Sequence, residues 1–239
     1  ELRIRACHVR GSFECKDNLP PPVSTRQLME EPAAFDYVRL AHPPVTFRHE
    51  KLKVEERIPA ARRYIAENKL NEQFGDPNGE VGIIVQGGLY NTLIRSLQQF
   101  GAADAFGTPA VPLRVLNVTF PLVPEEVTAF CAGKRAVMII EEGQPEYIEQ
   151  EIATMLRRRD LNTALHGKDM MPAVGECTAE AMVDALGAFL GQYQSHPGVA
   201  SARAWLDANT ELRQSVAGRL TEPLPGRPPS FCIGCPERP

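Results

Sequence analysis

Between residues 80 and 195 short apolar runs alternate with amphipathic stretches, and this rhythm restricts the possible folds more than any other feature of the chain. The runs are Val81-Gly-Ile-Ile-Val85, Leu113-Arg-Val-Leu-Asn-Val118, Ala136-Val-Met-Ile-Ile140 and the shorter Thr163-Ala-Leu-His166. Runs with so few polar breaks predict strands covered on both faces, which a parallel sheet requires. Between them, Leu89, Leu93, Ile94, Leu97 and Phe100 recur at helical spacing until Gly101 stops them. Pro124-Glu-Glu opens a second helix, with proline in the first turn and acids at the positive end of the helix dipole. Ile148, Ile152, Met155 and Leu156 form the stripe of a third helix. Thr178 opens a fourth, whose Met182, Leu186, Phe189, Leu190 and Tyr193 face inward. A last helix over residues 200–220 carries Trp205, the only tryptophan. Strand and helix in this alternation, with right-handed crossovers, predict an α/β fold: a three-layer, open, mostly parallel sheet.

The flanking segments have a different texture. Residues 2–15 alternate apolar and polar near their start, a strand pattern. Ser24 or Thr25 is placed to cap a short helix over residues 26–31. Residues 47–74 are dense in Arg, Lys and Glu, with apolar residues at Leu52, Val54, Ile58, Ala61, Ile65 and Leu70. They predict one long exposed helix with a kink at Pro59. Prolines number 21 in 239 residues and cluster at 20–22, 43–44 and 223–229, where neither helix nor inner strand can run. The clusters mark joints. The expected divisions are residues 1–79, then the wound sheet over 80–198, then a helix and linker over 199–239.

The balance of charge excludes some functions. A formal net charge of −4 argues against a nucleic-acid partner. No apolar run approaches the roughly 20 residues of a membrane span. Cys7, Cys15, Cys131 and Cys177 show no disulfide-like rhythm, so a reducing cytoplasm is expected.

Ligands approach such a sheet at the carboxyl ends of its strands. Four segments are expected there: Gln86-Gly87-Gly88-Leu-Tyr90-Asn91, Thr119 to Pro124, Glu141-Glu142-Gly143-Gln144 and His166-Gly167-Lys168-Asp169. Gly87 and Gly88 precede a helix N-terminus, so they fit either an anion site or a tight strand–helix turn. Glu141 and Glu142 follow an apolar strand, but adjacent residues of an extended chain point opposite ways, which is poor geometry for an acid–base pair. One of them is expected to meet a neighbouring domain or to cap the next helix. His166 has no serine elbow and no HExxH around it, and reads as a surface or interface histidine. Cys131 reads as a small buried hydrophobe and Cys177 as a residue before a helix.

The sharpest local motif is Phe231-Cys-Ile-Gly-Cys-Pro-Glu-Arg-Pro239. Cys232 and Cys235 are spaced to direct two sulfurs at one metal, as half of a zinc site, as part of an iron–sulfur ligand set, or as a redox pair, unless the pair has no function. Two thiols leave a four-ligand site incomplete. Together with a start at Glu1, this predicts a middle piece of a longer enzyme.

Arg227-Pro-Pro followed by Phe-Cys232-Ile-Gly-Cys235-Pro-Glu-Arg resembles the segment that opens the thiamine diphosphate domain of indolepyruvate:ferredoxin oxidoreductases. Gly87-Gly-Leu-Tyr-Asn, Leu116-Asn-Val-Thr-Phe-Pro-Leu-Val-Pro-Glu-Glu, Glu141-Glu-Gly-Gln-Pro-Glu-Tyr-Ile-Glu and His166-Gly-Lys-Asp resemble the middle domain of their large subunit. The resemblance covers residues 80–176 and the tail, and more weakly residues 1–79, which look like the end of a pyrimidine-binding domain and its connector. It implies a domain shaped like the C-terminal domain of transketolase. It also implies a parent enzyme that turns aryl pyruvate and CoA into aryl-acetyl-CoA and passes electrons to ferredoxin. That parent uses thiamine diphosphate, Mg and a [4Fe-4S] cluster, for which Cys232 and Cys235 map to two ligands. Its partners are the remaining domains of the polypeptide, a small beta subunit and ferredoxin, in an oligomer. Gly87, Gly88, Glu141 and Glu142 are the residues here placed to meet an anion or an interface. The Gly-Asp-Gly and Asn motif that holds metal and diphosphate in thiamine enzymes is missing, as are ferredoxin-like cysteine runs, so this piece alone is expected to be inactive. The alternative reading is a stand-alone flavodoxin-like binding or regulatory module with a zinc-binding tail.

Overall fold

The four apolar runs lie side by side in the computed structural model, which describes residues 42–219. They form β2 (Val81–Gln86), β3 (Leu113–Leu116), β4 (Ala136–Ile140) and β5 (Ala164–His166), joined by a short strand, β1 (Glu72–Phe74). The spatial order is β1-β3-β2-β4-β5. β2 pairs in parallel with both β3 and β4, and β4 with β5, while β1 runs antiparallel along β3. Ile83 stands opposite both Leu113 and Met138, and Met138 opposite His166. This is the expected α/β architecture.

Helices cover both faces because alternate strand residues are apolar in both directions. α3 (Tyr90–Gln99), α6 (Ala179–Tyr193) and α7 (Val199–Ala217) lie on one face, where Val81, Ile83, Val85, Met138 and Ile140 meet Leu93, Leu97, Leu186 and Phe189. α4 (Pro124–Cys131) and α5 (Tyr147–Arg158) lie on the other, where Ile84, Val137 and Ile139 meet Val127, Phe130, Ile152 and Leu156. Each of these large side chains contributes about 2 kcal/mol by leaving water. α7 packs Ala202, Trp205 and Leu206 against the first cluster, and its second half is exposed. Thr178 caps α6 as its sequence suggests, its hydroxyl accepting from the Ala181 N–H at 3.3 Å.

The charged stretch over 47–74 departs from the single helix expected of it. α1 (Val45–Leu52) runs into a π-helical turn (Lys53–Arg57) and then α2 (Ile58–Glu67). Pro59 has no N–H and its ring crowds the carbonyl four residues back. The wider turn relieves this, and the Ile58 N–H bonds to the Lys53 carbonyl five residues earlier. The helix stops at Glu67 because Lys69 takes a left-handed conformation (φ 50°), and the Leu70 and Lys69 N–H groups return to Ile65 and Ala66. The chain then enters β1. β3 is also shorter than its sequence suggests, because the Asn117 amide turns to donate to the Leu70 carbonyl and the Glu72 carboxylate, both at 2.9 Å.

α2 and β1 are keyed to the sheet by polar groups. The Arg62 guanidinium donates to the Leu122 carbonyl at 2.8 Å. Asn71 donates to Glu126 at 3.0 Å and accepts from the Val118 N–H at 3.1 Å. Arg114 of β3 forms a nearly buried ion pair with the same Glu126. Residues 47–219 make one compact unit. The expected strand over 2–15, the short helix after Ser24 and Thr25, and Cys7, Cys15, Cys232 and Cys235 all lie outside the described residues.

Candidate functional site

The parallel strands bring their carboxyl ends to one edge, and the β2–β4 boundary is where the chain's crossovers diverge to opposite sides. Gln86 ends β2 there, and its side-chain carbonyl accepts from the Glu142 N–H at 3.0 Å. Gly87 and Gly88 follow in a single 3-10 turn that leads into α3. A Cβ on Gly87 would come within 2.7 Å of the Asn117 side-chain oxygen, whereas Gly88 has open space around it. A side chain at position 87 would have to displace the Asn117 amide, whereas one at position 88 would meet no neighbour.

Glu141 and Glu142 leave β4 on opposite faces of the sheet. The Glu141 carboxylate is buried and accepts from the Ile148 N–H at 3.1 and 3.0 Å and from the Glu149 N–H at 3.2 Å. It caps α5, placing a negative charge on the positive end of the helix dipole. The Glu142 carboxylate reaches the other face and accepts from the Cys177 N–H at 2.9 Å, just before α6. Lys168, after β5, directs its ammonium to the carbonyls of Glu141 (2.7 Å) and Pro172 (3.2 Å). Its own N–H donates to Glu149 at 3.0 Å. The charged groups along this edge thus tie strand ends to helix starts.

This donor set does not fit a metal-bound diphosphate. The two carboxylates already accept backbone N–H groups, and the Lys168 ammonium is taken up by carbonyls. Among the described residues no group of three or more His, Cys, Asp or Glu side chains is placed to hold a metal ion.

His166 ends β5 on the face covered by α6. Its Nδ1 lies 2.6 Å from an Asp169 carboxylate oxygen and its Nε2 lies 2.6 Å from the Tyr193 hydroxyl. The other Asp169 oxygen accepts from the Gly167 N–H at 2.7 Å. Burial acts to raise the Asp169 carboxyl, but the hydrogen bonds from His166 and Gly167 and the His166 charge outweigh it and hold the group below the usual aspartate range. Phe189 packs edge-on against the imidazole, and the Arg135 guanidinium lies over the Tyr193 ring at 5.5 Å. The same guanidinium donates to the Tyr193 carbonyl. The sequence placed Tyr193 only on the inward stripe of α6. The signal it offered was a histidine at the end of an otherwise apolar strand, which must find a polar partner when covered.

Cys131 is buried as expected, and burial pushes its thiol up to about 12. Cys177 is also buried, directly ahead of α6.

No protein-family model matches the chain. Among curated proteins it is similar to the indolepyruvate oxidoreductase subunit IorA of Thermococcus kodakarensis, with 27% identity over 234 residues, covering 98% of this chain and 33% of the relative. IorA of Methanothermobacter marburgensis is 25% identical over 237 residues, again 98% and 33%. IorA of Pyrococcus abyssi is 28% identical over 183 residues, 77% of this chain and 25% of the relative. The chain spans about a third of the length of the first two relatives. A solved structure described as a split gene transketolase, an inactive beta4 tetramer, matches 57% of this chain and 42% of its own with 18% identity and a TM-score of 0.35, too slight a likeness to reason from. The relatives agree with the family resemblance seen in the motifs.

Proposed function

We propose that this relative of the indolepyruvate oxidoreductase subunit IorA is a non-catalytic domain of a thiamine-dependent 2-oxoacid oxidoreductase. Its parent would convert aryl pyruvate and CoA into aryl-acetyl-CoA while reducing ferredoxin. Thiamine diphosphate, Mg, the [4Fe-4S] cluster and CoA would be held largely by the two thirds of the relatives' length that this chain does not span. The role of this domain is to present a rigid sheet edge to those neighbours, with a cytoplasmic, oligomeric assembly as the setting. Gly88, with open space around it, is the place where an anionic group would touch, and the Glu141–Glu142 turn the place where such a neighbour would.

One observation carries this reading. At the carboxyl edge, where a ligand of this kind of sheet is expected, Glu141, Glu142 and Lys168 are all engaged by backbone groups of the domain itself. A carboxylate that caps a buried helix start is not free to act as acid, base or metal ligand. The test is an anaerobic assay of the purified chain with indolepyruvate, CoA, thiamine diphosphate, Mg²⁺ and a low-potential electron acceptor. No turnover is expected; acceptor reduction that depends on both indolepyruvate and CoA would overturn the reading.

A further inference from the structure

The Asp169–His166–Tyr193 chain runs from the turn after β5 to the last residue of α6 and is not needed for the proposed role. Its chemistry follows from which atom carries which proton. An ionised carboxylate only accepts hydrogen bonds, and both Asp169 oxygens are engaged, one by Gly167 N–H and one by His166 Nδ1. In the neutral imidazole, Nδ1 therefore carries the hydrogen and Nε2 presents a lone pair. At 2.6 Å from Nε2, the Tyr193 hydroxyl is then the donor. Hydroxyl, imidazole and carboxylate in this sequence are the arrangement that turns a hydroxyl into a nucleophile. Two further features support it. Arg135 holds its positive charge over the Tyr193 ring, where it favours a developing phenolate. Phe189 and the phenol ring flank the imidazole and restrict its rotation.

None of the three side chains is sealed in the core. Asp169 is about half exposed (54%). Tyr193 is half-buried and lines an open cleft with Arg135, Ser195, His196, Pro197 and Glu80.

We propose that Tyr193 is a base-activated nucleophile that takes up an acyl group from an activated acyl donor. The Tyr193 oxygen attacks the acyl carbonyl carbon and forms a C–O bond. The bond from that carbon to the leaving group breaks, and the hydroxyl proton passes to His166 Nε2 and on to the leaving group. His166 acts as the base, and Asp169 is the positioning residue that sets its tautomer.

The chain contains its own controls. Tyr64 and Tyr147 are far more exposed, at 63% and 68%. If access decides reactivity they react first; if the base decides, Tyr193 does. The full chain is treated with N-acetylimidazole near neutral pH, and acetylation of each tyrosine is followed by peptide mass spectrometry. Tyr193 is expected to react at least about ten-fold faster than Tyr147. Its rate should follow a different pH profile from that of the exposed tyrosines. His166→Gln should bring Tyr193 below Tyr147. Asp169→Asn should do the same and change the pH profile, because an amide donor at Nδ1 moves the ring hydrogen to Nε2. A single cooperative melting transition shows that each variant is folded. Acetylation of Tyr193 no faster than that of Tyr147, or a rate unchanged in a folded His166→Gln or Asp169→Asn protein, would overturn the assignment.

Discussion

The carboxyl edge and the β5 flank of the sheet carry similar residue types and use them in opposite ways. At the edge, Glu141, Glu142 and Lys168 bond to backbone groups. At the flank, one Asp169 oxygen holds the Gly167 N–H, while the other oxygen, His166 and Tyr193 bond to one another in series. A charged side chain held by backbone N–H or C=O groups is a structural pin, since its lone pairs or protons are committed for as long as the fold stands. Side chains in series can exchange a proton without unfolding anything. The lesson is that a carboxylate at a ligand-binding edge is judged by its partner and not by its place in the topology.

The largest effect should come from breaking a pin. Glu141→Ala leaves the Ile148 and Glu149 N–H groups without an acceptor, the first of them in a buried position. A loss of about 3 kcal/mol in chemical unfolding is expected. Glu142 is only half-buried, and Glu142→Ala should lower stability by about 1 kcal/mol. Equal losses from the two substitutions would remove the distinction between a buried cap and a partly exposed one.

The two glycines sharpen the comparison on a smaller scale. Gly87→Ala forces the Asn117 side chain away from 2.7 Å contact and with it the bonds to Leu70 and Glu72, so about 1–2 kcal/mol should be lost. Gly88→Ala meets no neighbour and should be close to neutral in a thermal melt, within about 0.5 kcal/mol. If Gly88→Ala is the more damaging, the turn is not held by Asn117.

The smallest effect concerns acid. Asp169 is held below its ordinary value of 3.8, so its contribution to stability is present above that pH and is lost as pH falls through the lower folded value. The stability curves of the unmodified protein and Asp169→Asn should therefore converge as pH falls below about 4. Divergence on acidification would reverse the sign of the argument.

Much of the fold was legible because burial on both faces writes itself into composition. Val81–Gln86 and Ala136–Ile140 admit almost no polar residue, and the stripes of α3 and α6 follow directly. What was hidden depended on single backbone conformations or on long-range partners. Gly101 announces the end of α3, but Lys69 ends α2 and Asp160 ends α5 with the same left-handed turn and no glycine to mark it. β1 was hidden because Glu72-Gln-Phe74 looks like the tail of a charged helix and becomes a strand only by pairing with β3. At the site, the reading that one glutamate of the pair caps the following helix matches Glu141. Tyr193 and His166 are 27 residues apart. Their contact arises only when α6 folds back over β5, which no local pattern encodes.

The charged edge of the domain is closed by its own backbone. Titration calorimetry of the full chain with thiamine diphosphate and Mg²⁺ addresses this directly. The predicted result is heat indistinguishable from dilution, with Glu141→Ala behaving likewise if it remains folded. Tight one-to-one uptake by the unmodified chain would contradict it.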